Sequence, residues 1–343
     1  MHLASLLYIP YPDWLKPEII PGLPFRWYGL MYLFAFTTAY LLVKRQVREE
    51  KLQVREEDIT NLFFWAILGL LVGGRILATL VYDTSGRYWR NPLLIFWPFD
   101  EKFRFVGLQG MSYHGGLLGA VLSIVIYCKR KKFSILEWGD RIVAAVPLGY
   151  TFGRLGNFIN GELYGRITAV PWGMLFPHAE KVPLRDPRVL EIAQKAGIDL
   201  PQALSTANSF ANLPRHPSQL YEAFFEGIFL WLILWIFLRK RKPFPGFLIS
   251  SYLIGYGLVR FVLEYFRQPD AELGFVVRLS SVENPPYLLL TPWNFTTGQV
   301  FCFFMILAGA LTLGIFHRQH LKKTLAAAPH AKPALRKLRK RLK

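Results

Sequence analysis

The sequence predicts an all-α integral membrane protein with about seven transmembrane helices, and two observations lead to this fold class. The 343 residues are 52% hydrophobic and 16% aromatic, and the mean hydropathy is +0.25, which is more apolar than an ordinary soluble domain. Apolar runs of roughly 20 residues, the length that crosses a bilayer core as a helix, alternate with short basic clusters. Because the formal net charge of +18 is divided among these clusters, it indicates the positive-inside rule and argues against a nucleic-acid partner.

The connections between the apolar runs predict the orientation of the chain. The expected spans cover residues 26–44, 59–82, 110–128, 138–160, 217–238, 245–266 and 293–316. Basic residues concentrate in the loops at 44–58, 129–137 and 239–244 and in the tail after His317. Since cytoplasmic loops carry the excess of lysine and arginine, we expect an external N-terminus and a cytoplasmic C-terminus. An odd number of spans agrees with this arrangement.

Three segments are not expected to span the membrane. Residues 83–109 are rich in aromatic residues and broken by proline, which is typical of short interfacial or re-entrant pieces. Residues 165–216 are expected to form a periplasm-side arm or small domain, with one or two amphipathic helices, that covers the site or meets a protein substrate. Residues 321–343 form a basic tail, for which a solubilising role is favoured over attraction to anionic lipid. The expected domains are therefore 1–164, with spans one to four, 165–216, 217–320, with spans five to seven, and 321–343.

Residues 153–166, with the sequence GRLGNFINGELYGR, are the most informative stretch. Arg154 falls near the end of an expected span, where an arginine costs about 2.5–3.5 kcal/mol on insertion scales and therefore needs a partner or an anionic ligand. On a helix, Arg154 and Asn157 share a face. Further donors, an acceptor and a second cation follow at Asn160, Glu162 and Arg166. Any one of these residues is explained equally well by a polar helix end among the lipid head groups, but the whole run favours a site for an anionic head group.

Two further polar groups lie at the starts of expected spans. Tyr28 follows Arg26 and Trp27 at the beginning of span one, and this run fits an aromatic belt as well as a ligand contact. His114 opens span three and is followed by two glycines. We expect these glycines to expose backbone N–H groups at a helix start, which suits an anion. The alternative is a structural histidine.

Spans five and six carry the remaining acidic and basic groups. Gln219, Glu222 and Glu226 recur at spacings of three and four residues, so they are expected to share a helix face that points into the bundle. Pro217, which precedes them, fits the first turn of a helix. In span six, a single stripe at spacings of four residues is formed by Tyr256, Arg260 and Glu264. The two opposite charges of this stripe can also be a purely structural pair.

Together these groups place two arginines on separate helices, with histidine, tyrosine and glutamate side chains at the outer ends of the spans. The planar fork of arginine holds phosphate oxygens in two places, so a phosphate-bearing lipid is the expected ligand. The sequence has no HExxH, GxSxG or P-loop motif, which makes metal-assisted hydrolysis, serine hydrolysis and nucleotide use weak alternatives. The two cysteines, Cys128 and Cys302, lie in or beside apolar spans and suggest neither a disulfide nor a metal site.

The motifs GRLGNFINGELYG, RWYGLMY, MSYHGG, RHPSQLYE and RFVLEYFRQPD, taken together, resemble those of the prolipoprotein diacylglyceryl transferases. They follow the family's order between residues 25 and 270. The resemblance implies a seven-span bundle in the bacterial cytoplasmic (inner) membrane, with its active site toward the outer leaflet. It also implies transfer of the diacylglyceryl group of phosphatidylglycerol to the lipobox cysteine of a preprolipoprotein signal peptide. Glycerol phosphate is the second product, and no cofactor is implied.

The resemblance implies catalytic roles for particular residues. Arg154 and Arg260 hold and neutralise the phosphate, while Glu162 and Glu264 orient the two arginines. The thiol proton is taken by His114 or by a group near Arg260, and the motifs do not decide between them. The expected catalytic residues are Arg154, Arg260, His114, Glu264 and Tyr256.

A second set is implied to bind the substrate. Tyr28 contacts the lipid head group, and Asn157 and Gly165 shape the pocket. The expected substrate-binding residues are Tyr28, Asn157, Asn160, Glu162, Gly165, Gln219, Tyr221 and Glu222. The nucleophile, a thiol, belongs to the protein substrate.

A membrane transporter of an anionic lipid or solute is the main alternative, because arginine–glutamate pairs inside spans also line transport paths. Against it, the sequence shows no repeated half that would supply alternating access. A receptor or scaffold that uses residues 165–216 as its binding domain is a weaker alternative.

Overall fold

The computed structural model describes residues 7–20, 22, 25–99, 102–104, 107, 110–198, 209–269 and 274–327. This part of the chain is mainly helical and contains three small two-stranded sheets. The chain divides into two compact units. The first unit comprises Met1–Ala39 and Ile142–Lys343, and the second unit is Tyr40–Arg141.

Long helices account for most of the described residues. The α-helices are α1 (Trp27–Glu49), α2 (Glu56–Leu77), α3 (Arg87–Arg90), α4 (Tyr113–Arg130), α5 (Ile135–Val143), α6 (Val146–Ile159), α7 (Pro187–Lys195), α8 (Ser218–Glu222), α9 (Leu230–Leu232), α10 (Phe247–Leu263) and α11 (Thr297–Ala327). α2 continues through a π-helical turn at Ala78–Tyr82, and α3 is followed by a 3-10 helix at Pro92–Phe96. α8 and α9 belong to one helical segment, Ser218–Arg241, with π-helical turns at Ala223–Phe229 and Ile233–Leu238 and a final 3-10 turn at Arg239–Arg241.

Three pairs of short strands lie in the first unit. β1 (Ile9–Pro10) pairs in parallel with β2 (Met174–Leu175), with Ile9 opposite Met174. β3 (Val182–Pro183) and β4 (Phe210–Ala211) are antiparallel, and so are β5 (Phe275–Arg278) and β6 (Asn294–Thr296). These three sheets join segments that lie mainly outside the long helices.

Each of the seven expected spans contains a helix. By length and composition, three described helical segments are apolar enough to cross a membrane: Glu56–Tyr82, Ser218–Arg241 and Thr297–Ala326. A membrane protein that is mostly helical is therefore established, whereas the number of crossings and the orientation stay predictions. Within the expected interfacial segment 83–109, the described residues form α3 and a 3-10 helix.

The fourth expected span, 138–160, is not one continuous helix. It is divided between α5 and α6, which are separated by a turn at Ala144 and Ala145. Pro147 lies in the first turn of α6. Proline has no backbone N–H and is tolerated only where that donor has no helical partner, so it begins α6 and cannot continue α5. This break is a correction to the sequence-based prediction.

In the second unit, α2 and α4 pack through glycines. Gly69 and Gly73 of α2 face Gly115 and Gly119 of α4, and a Cβ added to any of the four would overlap the opposite helix. Because helices in lipid gain little from hydrophobic burial against each other, such small residues promote association by allowing close van der Waals contact. Close van der Waals contact between the two backbones therefore stabilises the packing of α2 against α4.

The expected arm, residues 165–216, contributes most of the residues of a small hydrophobic core. Its buried members include Ile167, Val182, Val189 and Leu213, with Leu288 from a later segment. α7 is the amphipathic helix expected in this arm, and Asp186 caps it by accepting a hydrogen bond from the backbone N–H of Arg188 at 3.0 Å. Residues 199–208 of the arm lie outside the described residues. Because Leu288 completes the core, the arm packs together with the segment before β6.

The basic tail is only partly described. α11 continues to Ala327, which is seven residues into the expected tail 321–343. The rest of that tail lies outside the described residues, and its expected solubilising role stays a prediction.

The glycine contact between α2 and α4 gives a stability prediction. Gly73→Ala places a Cβ within 2.9 Å of Gly119 Cα, so we expect it to lower the free energy of unfolding by about 1–3 kcal/mol. Gly314→Ala is the matched control, because no atom lies within 4 Å of its added Cβ and alanine is the better helix former. Thermal unfolding in detergent measures both. Equal melting temperatures for the two variants would contradict this packing.

Candidate active site

α6 presents a polar face that is centred on Arg154. Arg154 Nε lies 2.9 Å from Glu222 Oε2, and the same nitrogen donates to the Tyr150 hydroxyl one turn earlier at 2.5 Å. Arg154 Nη1 donates to Asn157 Oδ1 at 3.4 Å. The guanidinium also lies 4.8 Å from the centre of the Tyr150 ring, a favourable cation–π distance. The spacings of three and four residues on α6 therefore bring these groups together, as the sequence predicts for Arg154 and Asn157.

α10 carries the second arginine. Arg260 Nη1 donates to Glu222 Oε1 at 2.6 Å and to Glu226 Oε1 at 3.3 Å, and Arg260 Nη2 donates to Glu264 Oε2 at 2.8 Å. Arg267, which follows the end of α10, has nitrogens 4.0 Å from both Glu222 and Glu264. The predicted stripe of Arg260 and Glu264 is present, and carboxylates from another helix join it.

Glu222 links the two arginines. One of its oxygens contacts Arg154 of α6 and the other contacts Arg260 of α10. The residue is fully buried, so both contacts are made where the dielectric constant is low and electrostatic attraction is strong. We call the six residues of this group the arginine–glutamate cluster: Arg154, Arg260, Arg267, Glu222, Glu226 and Glu264.

The amide side chains lie beside this cluster and are held by Glu162. Asn157 Nδ2 donates to Glu162 Oε1 at 2.9 Å, and Asn160 Nδ2 donates to the same oxygen at 3.2 Å. Gln219 Nε2 donates to the backbone carbonyl oxygen of Glu162 at 2.6 Å. The expectation that Glu162 orients an arginine therefore needs correction. Glu162 reaches Arg154 only through Asn157, and Glu222 contacts the arginines directly.

Gly165 is placed where two backbone segments approach each other. Its N–H donates to the carbonyl oxygen of His216 at 2.8 Å, and it forms a β-bridge with Arg267. An added Cβ would lie 2.7 Å from His216 Cβ and would overlap the carbonyl oxygen of Phe266. Gly165 therefore allows the chain after α6 to pack against the chain after α10, the segment that carries Arg267.

The second cation that the sequence suggested near Arg154 does not belong to the cluster. Arg166 donates to the carbonyl oxygens of Arg267 and Leu288 at 3.0 and 2.9 Å. Burial lowers the pKa of its guanidinium to about 10, at which Arg166 is still a cation at neutral pH. Arg166 is a structural residue, because it links its own segment to those of Arg267 and Leu288.

Three expected tyrosines lie around the cluster rather than in it. The Tyr28 hydroxyl pairs with the Tyr32 hydroxyl at 3.1 Å, and the Tyr28 ring packs on Gly156 of α6. Tyr221 accepts a hydrogen bond from Trp172 Nε1 at 2.7 Å. The Tyr256 ring meets the Tyr150 ring edge to face, with centroids 6.1 Å apart. Tyr256 therefore packs against the tyrosine that contacts Arg154.

His114 belongs to the second unit, near the start of α4. Its Nδ1 lies 3.2 Å from the Tyr82 hydroxyl, and the residue is exposed. The N–H groups of Gly115 and Gly116 are not open to an anion, because the Ser112 hydroxyl and carbonyl oxygens accept them at 3.1 and 2.9 Å. The expected anion site at this helix start is therefore wrong, since Ser112 caps the helix instead.

Tyr150 and Thr296, which lie near the cluster, and Arg267, which belongs to it, were not predicted as part of the site. Tyr150 precedes Arg154 by one helical turn, a spacing that the sequence already shows. Arg267 appeared in the sequence analysis only within the motif RFVLEYFRQPD. The Thr296 hydroxyl donates to Glu264 Oε1 at 3.0 Å, and no sequence signal indicates this contact because β6 is brought to α10 by folding.

The fold and the cluster define a helical membrane protein that buries an arginine–glutamate site. Residues 18–315 match the family model described as prolipoprotein diacylglyceryl transferase. A phosphatidylglycerol–prolipoprotein diacylglyceryl transferase of Treponema pallidum is 48% identical over 331 residues, which cover 92% of this chain and 98% of that relative. The enzymes of the same name from Treponema denticola and Chlorobaculum tepidum are 49% and 43% identical, over 92% and 87% of this chain and 97% and 89% of their own. The chain belongs to the prolipoprotein diacylglyceryl transferase family, which confirms the resemblance seen in the motifs.

Glu222 provides a stability prediction for the site. Glu222→Gln removes the charge that Arg154 and Arg260 share, so we expect a loss of about 3 kcal/mol or more of the free energy of unfolding. Thermal unfolding in detergent measures the loss. Glu191→Gln is the control, because Glu191 is exposed and its salt bridge among the described residues is with Lys195, one turn away on α7, so its loss is expected to change the stability little. A Glu222→Gln melting temperature equal to that of Glu191→Gln would contradict the bridging role.

His216 gives a prediction on pH. Burial, and then the charge of Arg166, lowers the pKa of His216 to about 4. The unfolded chain, with a histidine pKa of about 6.5, binds a proton that the folded chain does not bind. Stability is therefore expected to fall as the pH drops from about 6.5 towards about 4. Thermal unfolding of wild type and His216→Gln across this range tests it, and parallel declines in the two proteins would exclude His216 as the source.

Proposed function

We propose that this protein transfers the diacylglyceryl group of phosphatidylglycerol to the cysteine thiol of a prolipoprotein, with a thioether and glycerol phosphate as products. The observation that carries the proposal is the pair of partly buried arginines that the fully buried Glu222 links, in a chain of a family named for this transfer. The phosphodiester of phosphatidylglycerol carries one negative charge, and arginine is the side chain best shaped for it. The transporter alternative is not favoured, because the family and the relatives named above are transferases.

The reaction displaces a phosphate ester at a glycerol carbon. The substrate thiolate attacks that carbon, a carbon–sulfur bond forms, and the bond between carbon and the phosphate oxygen breaks. The electron pair of the broken bond stays on the phosphate, so negative charge grows on the departing glycerol phosphate. Cationic donors that are already oriented stabilise this charge without reorganising, which is the main contribution that a protein makes to such a step.

The contacts of the two arginines suggest different roles. Glu222 contacts Arg154 through Nε, which leaves the two Nη groups for other acceptors, and Asn157 takes one of them at 3.4 Å. Arg260 is contacted by three carboxylates through both of its Nη groups. Arg154 is therefore proposed as the principal phosphate ligand. Arg260 anchors Glu222 and adds positive potential.

The thiol proton needs an acceptor, and the protein itself supplies no nucleophile in this proposal. Cys128 and Cys302 are both buried, which fits a nucleophile that arrives with the prolipoprotein. His114 is an exposed imidazole, and histidine is the side chain that most often acts as a general base. A carboxylate near Arg260 is the other proposed acceptor.

The membrane setting is proposed from the charge pattern. The basic loops support seven spans with an external N-terminus. Membership of the family supports the bacterial cytoplasmic membrane, with the site toward the outer leaflet. The arm at residues 165–216 then lies on the side from which a lipobox peptide presents its cysteine. Glu162, Asn160 and Gln219, which form one hydrogen-bonded set beside Arg154, are proposed to contact the polar substrate groups.

Purified protein in detergent, mixed with phosphatidylglycerol and a lipobox peptide, tests the function. We expect release of glycerol phosphate together with the matching mass increase of the peptide. Arg154→Ala and Arg260→Ala are each expected to lose about 100-fold or more in kcat/KM, because each removes charge stabilisation at the leaving phosphate. Arg188→Ala is the control, since this exposed arginine forms a salt bridge with Asp186, outside the arginine–glutamate cluster.

His114→Gln separates the two proposed proton acceptors. A loss comparable to that of the arginine variants would assign the proton to His114, and retained activity would assign it to the carboxylates near Arg260. Absence of glycerol phosphate release by folded wild-type protein, over a series of lipobox peptides, would exclude the transferase.

A further inference from the structure

Arg260 is shared by three carboxylates. The other two arginines of the cluster form salt bridges with Glu222 and Glu264, whereas among the described residues Glu226 has a salt bridge with Arg260 alone. Its guanidinium contacts Glu222 at 2.6 Å, Glu264 at 2.8 Å and Glu226 at 3.3 Å. All three glutamates are buried. Like charges that share a buried site raise each other's cost of ionisation, so one member of such a group tends to hold a proton.

Glu222 and Glu264 are well compensated as carboxylates. Glu222 has Arg260 at one oxygen and Arg154 at the other, at 2.6 and 2.9 Å. Glu264 accepts from Arg260 at one oxygen and from the Thr296 hydroxyl at the other, at 2.8 and 3.0 Å. Glu222 therefore has an arginine beside each oxygen, although its Oε2 accepts no hydrogen bond from the described residues. Glu264 has a hydrogen-bond donor at each oxygen. Both arrangements favour the charged form.

Glu226 is in a different position. It is 1% exposed, its ion pair with Arg260 is the longest of the three, and within the described part of the chain its buried Oε2 has no hydrogen-bond partner. An ionised carboxylate with one bare oxygen in a buried site is costly, whereas a protonated carboxyl group carries no charge to compensate. Of the three carboxylates in the cluster, Glu226 is thus the one whose negative charge is least compensated.

We infer that Glu226 carries a proton in the resting protein and thereby makes the arginine–glutamate cluster one unit more positive than three carboxylates would leave it. The neutral carboxyl group still fills its place beside Arg260, but it does not consume positive charge. The consequence for catalysis, which rests on the proposed function, is that the cluster is prepared for the single negative charge of a phosphodiester. Glu226 would act through the arginines, as a positioning residue rather than a catalytic one.

The other groups that face Glu226 are consistent with this state. Glu222 precedes it by one turn on the same helical segment, and α6 contributes Tyr150 and Arg154. α10 contributes Arg260, and Cys302 of α11 also lies within electrostatic range. Of these, the two arginines and the Tyr150 hydroxyl favour ionisation, whereas burial and Glu222 oppose it. Both arginines already make shorter contacts with Glu222 than Arg260 makes with Glu226.

Infrared spectroscopy of the purified protein in detergent, without any substrate, tests the protonation state directly. At neutral pH, the wild-type spectrum minus the Glu226→Gln spectrum is expected to show the C=O stretch of a protonated carboxylic acid, which shifts in heavy water. Glu191→Gln, which removes an exposed and ionised carboxylate, is the control and is expected to show carboxylate bands only. Carboxylate bands alone for Glu226→Gln would overturn the inference. So would failure of Glu226→Gln to fold, because an amide replaces a neutral carboxyl group almost isosterically.

Kinetics with phosphatidylglycerol and a lipobox peptide provide the second measurement. We expect kcat/KM to fall less in Glu226→Gln than in Glu222→Gln, by about tenfold or more, because only the second substitution removes a charge. Equal losses in the two variants would overturn the inference. Because the infrared result needs no turnover, inactive wild-type protein would refute the proposed function while leaving the protonation of Glu226 to be decided by its spectrum.

Discussion

The burial of two guanidinium charges is the constraint on which the rest of the first unit depends. Removing one partner of a buried ion pair costs about 3–5 kcal/mol, because the remaining charge is left uncompensated in a medium that solvates it poorly. Glu222 meets this requirement for both arginines, since its two oxygens lie 2.9 Å from Arg154 Nε and 2.6 Å from Arg260 Nη1. A single side chain therefore ties α6 and α10 to the segment Ser218–Arg241. The same arrangement holds the cations ready for an anionic ligand.

Close helix packing makes this arrangement possible. Gly227 faces Thr151 of α6, and a Cβ added to it would lie 3.1 Å from Thr151 Cβ and would overlap the hydroxyl. The segment is also π-helical over Ala223–Phe229, the turn that carries Glu226. π-helical turns are uncommon and occur frequently at functional sites. Here the glycine lets the two backbones approach, and the wider turn presents Glu222 and Glu226 to the same guanidinium.

Not every arginine near the end of an expected span belongs to the arginine–glutamate cluster, and Arg215 and Arg166 show why. Arg215 is fully buried and donates to the carbonyl oxygens of Gly165 and Glu180, as Arg166 does to those of other loops. Both residues satisfy backbone acceptors that would otherwise be unpaired. Residue type and spacing predict that an arginine near a span end needs a partner. They do not predict whether that partner is a glutamate, a ligand or a carbonyl group, because this depends on which loops are folded over it.

The sequence by itself determined the membrane class, the family and the approximate positions of the helices, although α11 continues to Ala327, eleven residues beyond the expected end of the last span. It also determined that Arg154 shares a face with Asn157 and Arg260 with Glu264. These are properties of apolar length and helical spacing, which are local. The tertiary structure decided the break between α5 and α6, the capping of α4 by Ser112, and the choice of Glu222 as the common partner of both arginines. Arg260 meets a carboxylate 38 residues away in the chain, and such a contact is set by the packing of separate helices, which no local spacing encodes.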